Sequence, residues 1–187
     1  MRQSSDLFFV SSNHHKYQEA KKILESFDIN LKFFKYDLEE IQSSSLKEIA
    51  SKKAVQAFQK CKKPIIVEDD GLFIDSLDGF PGPYSSYVFK TIGNKGILQL
   101  LKKNRKAKFV SIISYHDNKN CKSFEAKIDG TISKSQNGTG WGYDPIFTPK
   151  NFNQTFAQLT TKNNLSHRYK ALKKFSNWYL NKLKSND

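Results

Sequence analysis

The first 67 residues alternate short apolar runs with amphipathic segments, and this alternation constrains the fold more than any other feature of the sequence. The apolar runs at 6–11, 31–36 and 65–67 have the length of buried strands. Between them, the residues from about Asn13 and those from Ser45 onwards place apolar side chains at helical spacing. Ser45 and Glu48 have the spacing of a capping box, which predicts that Ser45 caps the second helix. The resulting order βαβαβ favours a mixed α/β fold.

The remainder of the chain predicts two further helices and an antiparallel hairpin. Residues 94–104 favour a helix, and 108–115 and 122–128 favour strands joined by a polar turn. We expect Ser166 to cap the last helix and the glycine- and proline-rich stretch Gly79–Pro83 to form a loop. Without repeats or a linker, the 187 residues predict a single domain.

The first predicted helix begins beside a cluster of hydrogen-bond donors, Ser11-Ser12-Asn13-His14-His15-Lys16. Free N–H groups at a helix start attract phosphate, and Lys16 adds a positive charge on the first turn. The glycines of a P-loop are missing, so this is a different kind of phosphate site. Asn13 can also serve only as a helix cap, and the residues alone leave the two roles open.

Three consecutive acids, Glu68, Asp69 and Asp70, come directly after a buried apolar run. Their charges repel each other unless a cation lies nearby, and oxygen ligands of this kind suit Mg²⁺. Strand alternation sends Glu68 and Asp70 to one side and Asp69 to the other. Glu39 and Glu40 can add a ligand from another segment. The alternative is an acidic loop that water solvates.

A third cluster combines aromatic, acidic and basic side chains near the end of the chain. Trp141 lies between two glycines, where its ring can stack on a base. His167 and Arg168 offer donors to a keto oxygen at C6 of a purine, and such a site rejects the amino group of adenine. The alternatives are a core tryptophan, a turn that begins at Asp144, a capping-region histidine and a surface ion pair of Arg168.

The formal net charge of +13 predicts an anionic partner, either nucleic acid or free nucleotide. Nine of the eighteen acids lie between Asp37 and Asp78, around the proposed metal region. No apolar run approaches membrane-spanning length, and the N-terminus lacks a signal-peptide pattern. Cys61 and Cys121 are then expected to be reduced thiols, and we predict a cytoplasmic protein that does not contact a membrane.

With these clusters in place, the chain resembles the inosine triphosphate pyrophosphatase family, also called Ham1-like or XTP/dITP diphosphatases. The resemblance implies an elongated mixed β-sheet flanked by helices, with two lobes, an active-site cleft between them, and a homodimer. It implies hydrolysis of non-canonical purine triphosphates (ITP, dITP and XTP) to the monophosphate and pyrophosphate, which cleanses the nucleotide pool. Six segments carry it, in this order: 9–16 FVSSNHHK, 67–72 VEDDGL, 77–85 LDGFPGPYS, 140–147 GWGYDPIF, 155–157 TFA and 166–168 SHR.

The resemblance also implies roles for individual residues. Glu40 and Asp69 would hold Mg²⁺, for which Mn²⁺ can substitute, and Asp69 would be the general base for water attack at the α-phosphorus. Asp70 stands where the family commonly has Ser or Thr, and an extra carboxylate there can add a metal ligand or disturb a phosphate contact. Besides Asp70, two groups of residues would contact the substrate. The phosphate-side group is Ser11, Ser12, Asn13, His14, His15, Lys16 and Lys53. The nucleoside-side group is Trp141, Gly142, Tyr143, Asp144, Lys162, His167 and Arg168.

Two other functions stay open on the sequence alone. A Maf-like pyrophosphatase would keep the fold and act on other altered nucleotides. A basic nucleic-acid-binding protein would account for the charge and the aromatic residues, but it leaves the acids 68–70 unexplained. We therefore expect a small-molecule nucleotide substrate and no nucleic acid.

Overall fold

A computed structural model describes residues 6–185, which form a mixed α/β fold around one seven-stranded sheet. The strand order is β2-β1-β3-β5-β6-β7, and β4 pairs with β3 outside this path. No helix within the described residues is long and apolar enough to cross a membrane. The strands are β1 (Leu7–Ser11), β2 (Leu31–Lys35), β3 (Ile65–Ile74), β4 (Pro81–Gly82), β5 (Lys106–His116), β6 (Cys121–Ile132) and β7 (Phe147–Pro149). The helices are α1 (His14–Glu25), α2 (Leu46–Cys61), α3 (Ser85–Thr91), α4 (Gly93–Leu100) and α5 (His167–Ser185).

The predicted βαβαβ order is confirmed, with β1 parallel to both β2 and β3. Alternating side chains of β1 enter different cores, because successive residues of a strand face opposite sides of the sheet. Phe9 packs in the cluster that includes α1 and α5, whereas Val10 packs with Ala54 and Ala57 of α2. Burial on both faces explains why this strand has a nearly continuous apolar sequence.

The third strand extends far beyond its apolar start, and the prediction that it ends at the acids is wrong. β3 runs from Ile65 to Ile74 and pairs with β5 antiparallel along its whole length. Its parallel pairing with β1 covers only Ile65 and Ile66. The acids at 68–70 therefore lie inside a strand, just beyond the point where β1 ends and the chain turns into α1. Pairing with β5 satisfies the hydrogen bonds of their backbone groups, so the three acidic side chains project from a strand and not from a loop.

The other predicted helices and strands differ from the observed ones mainly in their first and last residues. The hairpin of β5 and β6 is confirmed and is longer than predicted, and the helix predicted at 94–104 is α4, which ends at Leu100. The stretch predicted as a loop contains the two-residue strand β4. α3 and β7 were not predicted, because elements of seven and three residues are too short to show a hydrophobic period.

The predicted helix caps at Asn13, Ser45 and Ser166 all form. The side chains of Asn13 and Ser45 accept hydrogen bonds from the backbone N–H groups of Lys16 and Glu48, at 3.2 and 3.3 Å. Ser166 accepts from the N–H of Tyr169 in the same way. These caps set where α1, α2 and α5 begin, and so they set which side chains of each first turn face the sheet.

The core has two large parts at opposite ends of the sheet. One part contains Leu7, Leu24 and Phe175 and joins α1 and α5 to the first strands. The other contains Leu72 and Ile97 and joins the end of β3 to α3, α4 and β7. The acidic part of β3 lies between the residues that β3 contributes to the two clusters, Ile66 and Leu72.

Gly71 lets β4 approach β3 closely, and we expect Gly71→Ala to destabilise the fold. A Cβ at this position would lie 2.5 Å from the carbonyl oxygen of Gly82, so β4 would have to move. Overpacking of this kind costs about 1–3 kcal/mol, and urea unfolding measures it. The exposed α4 variant Gln99→Ala is the control and should stay within about 0.5 kcal/mol of the parent. A Gly71→Ala protein as stable as that control would contradict the prediction.

Candidate active site

A cleft of about 620 Å³ opens beside the acidic part of β3. Its walls come from the β1–α1 turn, α2, β3, α3, the segment 141–144 and the start of α5. Two predicted site residues, His14 and His15, are not part of the lining; His14 packs against Phe33, and His15 stacks on Trp141. The other predicted site residues all line it: Ser11, Ser12, Asn13, Lys16, Glu40, Lys53, Asp69, Asp70, Trp141, Gly142, Tyr143, Asp144, Lys162, His167 and Arg168.

The three adjacent acids face opposite sides of the sheet, as the alternation predicted. Glu68 accepts hydrogen bonds from Nε of Arg168 at 2.8 and 2.9 Å. Asp70, on the same side, forms an ion pair with Lys16. Asp69 points the other way and accepts from Nζ of Lys53 at 2.6 Å. The repulsion among the acids, from which we predicted a metal, is thus offset first by cations of the chain itself.

Lys53 joins two carboxylates that come from different segments. Its ammonium group donates to Oδ1 of Asp69 and also to Oε1 of Glu40. The second oxygen of Asp69, Oδ2, is buried and has no hydrogen-bond partner among residues 6–185. Burial raises the pKa of Asp69, although Lys53 and Lys16 act in the opposite direction. An unpartnered carboxylate oxygen beside a second carboxylate is a donor set that suits a hard divalent cation.

These two carboxylates would form an incomplete metal site by themselves. Within the described part of the chain, no group of three or more His, Cys, Asp or Glu side chains gathers to hold a metal. Mg²⁺ commonly takes one or two carboxylates and completes its shell with water and substrate phosphate oxygens. The arrangement of Glu40 and Asp69 therefore fits Mg²⁺ that binds together with a phosphate ligand.

Arg168 is the most buried cation of the cleft, with 2% of its surface exposed. Besides Glu68, it donates from Nη1 to Glu19, and its guanidinium group lies 5.4 Å from the centre of the Trp141 ring. Its Nη2 is buried without a hydrogen-bond partner among the described residues. The alternative of a surface ion pair is therefore wrong, and Nη2 of this fixed guanidinium is 3.8 Å from Oδ2 of Asp70, too far for a hydrogen bond.

Glu19 joins Trp141, Lys162 and Arg168 at the cleft, and the sequence analysis missed it. Its carboxylate accepts from Arg168, from Nζ of Lys162 at 3.1 Å and from Nε1 of Trp141 at 3.0 Å. Burial would raise its pKa, but Arg168 and Lys162 lower that pKa to about 2. The signal in the sequence was weak: an acid one turn after Lys16, next to the apolar stripe of α1.

The segment 141–144 is held from both sides. Lys162 donates to Oδ2 of Asp144 at 2.6 Å, and burial raises the pKa of Asp144 although Lys162 opposes the rise. The hydroxyl of Tyr143 donates to the carbonyl of Ser85 at 2.9 Å, which ties this segment to α3. The segment is therefore a fixed wall of the cleft and more than a turn that begins at Asp144.

His167 is the first residue of α5 and lies flat against Phe109, with ring centroids 4.5 Å apart. Its Nε2 lies 3.9 Å from Oδ2 of Asp70, and its Nδ1 is buried without a partner among the described residues. Ser166 supplies the cap of α5, so His167 is not needed for that purpose. Together with Nη2 of Arg168, the imidazole offers the cleft a second buried polar atom that lacks a partner.

Sequence reasoning also missed the wall that faces these donors. Phe109 comes from the middle of β5, and Ser86, Tyr87, Phe89 and Lys90 come from α3; all of them line the cleft. None stands in a pattern that indicates chemistry by itself. Their position in the cleft follows from the pairing of β5 with β3 and from the path of the chain after β4.

Comparisons with known proteins agree with this geometry. The model of the Ham1 family matches residues 7–178. A protein of Methanopyrus kandleri named dITP/XTP pyrophosphatase is 46% identical, over 94% of this chain and 96% of its own. A protein of the same name from Thermococcus kodakarensis is 45% identical, over 95% and 99%. The structure of a HAM1 protein from Coxiella burnetii superposes with a TM-score of 0.81 at 26% identity, over 95% of this chain and 99% of that one.

We expect Glu19→Gln to destabilise the protein, because it removes a half-buried charge from Arg168 and Lys162. Loss of hydrogen bonds to a charged group of this kind costs about 1.5–3 kcal/mol, and urea unfolding at neutral pH measures the loss. Glu25→Gln on the same helix is the matched control, since Glu25 forms only an exposed pair with Lys21 at 3.8 Å. That control should change stability by less than about 0.5 kcal/mol.

The same pair of variants tests the direction of the pKa shift of Glu19. Its folded pKa of about 2 lies below the ordinary value of 4.5, so its stabilising effect is complete above pH 4.5 and is lost as the pH falls towards 2. The difference in unfolding free energy between parent and Glu19→Gln should therefore shrink from pH 6 to about pH 3. A difference that stays constant over this range would refute the assignment.

Proposed function

The chain belongs to the Ham1 family, and we propose that it hydrolyses the non-canonical purine triphosphates ITP, dITP and XTP to the monophosphate and pyrophosphate. Relatives that match nearly all of this chain carry the name dITP/XTP pyrophosphatase. One observation carries the proposal: a single cleft brings together a helix start with lysines, two carboxylates on one lysine, and buried donors beside an aromatic ring. Those are the requirements of triphosphate binding, metal-assisted hydrolysis and base selection.

The phosphates would bind at the start of α1. Ser11 and Ser12 line the cleft there, and the free N–H groups of the first helical turn favour an anion. Lys16 and Lys53 would supply the positive charge on either side of β3. Asn13 would act mainly as the cap of α1, because its side chain already accepts from the N–H of Lys16.

Glu40 and Asp69 would hold Mg²⁺, with Mn²⁺ as a substitute. The support is the unpartnered Oδ2 of Asp69 and the shared contact of both carboxylates with Lys53. When bound, the ion would neutralise charge on the phosphate oxygens and on the leaving pyrophosphate. Lys53 would keep the two carboxylates close together in the absence of the ion.

Asp69 would also orient or deprotonate the water that attacks the α-phosphorus. Burial raises the pKa of this carboxyl, which makes the carboxylate a stronger base than an exposed aspartate. Lys53 holds Oδ1, so Oδ2 is the oxygen that would face the water. The pyrophosphate would leave between Lys16 and Lys53.

The base would be selected by polar atoms that lack partners. Nη2 of Arg168 and Nδ1 of His167 are both buried without hydrogen bonds among the described residues, and Nδ1 is a donor in the tautomer that carries its proton there. A keto oxygen at C6 would accept from them, whereas the amino group of adenine would leave them unpaired at a cost of about 1–3 kcal/mol for each group. Trp141, held by Glu19, would stack on the base.

We also propose a single domain, a homodimer and a cytoplasmic location. Support for the dimer comes from the exposed apolar side chains around α3, Phe80, Tyr84, Tyr87, Phe89 and Ile92, which a second copy could cover. We expect no nucleic-acid partner, since binding of a nucleic acid would give the acids of β3 no role. A Maf-like specificity for other altered nucleotides is the second candidate, and substrate profiling separates it.

The central test is pyrophosphate release from ITP, XTP, dITP, GTP and ATP, with Mg²⁺ and with EDTA. We expect fast turnover of the first three substrates and its loss in EDTA. ATP should be slower by about 100-fold or more, because two buried donors lose their acceptor. Turnover of other altered nucleotides in place of these three would favour the Maf-like alternative, and no turnover of any nucleotide would refute the proposal.

Asp69→Asn tests the proposed base and metal ligand. We expect kcat to fall by about 100-fold or more. The melting temperature should stay close to that of the parent, because burial disfavours the charge of Asp69 and Lys53 keeps Glu40 as a partner. Asp129→Asn, an exposed change on β6 outside the cleft, is the control for lost charge and should keep full activity. An Asp69→Asn enzyme with more than about a tenth of the parent activity would exclude this role.

A further inference from the structure

Lys16 has an anionic partner before any nucleotide binds. Its ammonium group forms an ion pair with Oδ1 of Asp70, and the two side chains are only 16% and 17% exposed. Both residues line the cleft, Lys16 on the first turn of α1 and Asp70 on β3. Oδ1 of Asp70 is therefore bound to the ammonium group of Lys16, where a phosphate oxygen of a ligand would also bind.

Two further nitrogen atoms of this side of the sheet lie near Asp70. Its Oδ2 lies 3.8 Å from Nη2 of Arg168 and 3.9 Å from Nε2 of His167. These distances exceed those of hydrogen bonds, so Lys16 makes the direct contact, and Arg168 acts through its charge. Asp70 can therefore keep favourable neighbours when Lys16 turns to a ligand.

The ion pair of Lys16 and Asp70 opposes the binding of an anion to Lys16. A partly buried lysine without a counterion is costly, so removal of Asp70 would leave Lys16 with a stronger need for an external anion. In the parent, a phosphate must compete with Asp70, and apparent affinity falls by the fraction of molecules in which Lys16 is free. The exchange keeps Lys16 paired throughout, since one oxyanion replaces another.

We propose that Asp70 is a resident competitor for Lys16 that weakens binding of the pyrophosphate product and so speeds its release. The role in turnover rests on the proposed hydrolysis, whereas the effect on anion affinity does not. Asp70 would act through Lys16 and not on the reacting atoms. The opposite possibility is that Asp70 only holds Lys16 in place, in which case its loss would weaken anion binding.

The direct test is calorimetric titration of inorganic pyrophosphate in EDTA, which requires neither metal nor turnover. The proteins are the parent, Asp70→Ser, the near-isosteric Asp70→Asn, and Asp75→Asn as the control for lost charge. Asp75 is exposed and does not line the cleft. We expect both Asp70 variants to bind pyrophosphate about tenfold more tightly than the parent, and the control to match the parent.

Enzyme kinetics distinguishes slower release of pyrophosphate from a general loss of structure in the Asp70 variants. In both Asp70 variants, pyrophosphate should inhibit about tenfold more strongly, and kcat and KM for ITP should fall together. Asp70→Asn keeps the size of the side chain, so it remains informative if Asp70→Ser does not fold. Unchanged or weaker pyrophosphate affinity in the folded variants, or no binding by any of the proteins, overturns the proposal. If the Asp70 variants bind pyrophosphate more tightly but the parent hydrolyses no nucleotide, the competition between Asp70 and pyrophosphate for Lys16 is supported and only the proposed function is refuted.

Discussion

The buried ion pair of Glu68 and Arg168 is the interaction on which the cleft depends. It joins the middle of β3 to the first turn of α5 across 100 residues of sequence, and Ser111 of β5 adds a hydrogen bond to Glu68 at 2.9 Å. Glu68 depends on this partner, since an unpaired buried charge costs about 3–5 kcal/mol. From Arg168, the hydrogen bonds continue to Glu19 and from there to Trp141 and Lys162.

The sheet separates two electrostatic tasks that the sequence places on adjacent residues. On one face, the carboxylates of Glu68 and Asp70 hold cations that would face the base and the phosphates. On the other face, Asp69 shares Lys53 with Glu40 and keeps one oxygen without a hydrogen-bond partner among the described residues. The separation needs no special loop, because the side chains of a strand alternate between faces. Three acids in a row therefore pair with cations on both faces of the sheet.

Particular residues show how far sequence reasoning reached. The alternation of the acids and the caps of α1, α2 and α5 follow from rules that act over a few residues, and both were predicted. The limit of β3 was not, because its later half is held by β5, a partner that the local sequence does not reveal. Glu19 was missed for the same reason: its three partners, Trp141, Lys162 and Arg168, lie more than 120 residues away.

The sequence by itself determined the order of strands and helices and the kinds of chemical group available, since hydrophobic period, capping and strand alternation are local properties of a chain. It also indicated the family, through six segments spread from residue 9 to 168, and the family model matches residues 7–178. Only the tertiary structure decided which cation pairs with which acid. Those pairings arise where distant strands and helices meet and exclude water, and there the loss of hydration makes every unpaired charge costly. The same burial left some polar atoms of the cleft without a hydrogen-bond partner among residues 6–185, including one oxygen of Asp69, one nitrogen of Arg168 and one of His167.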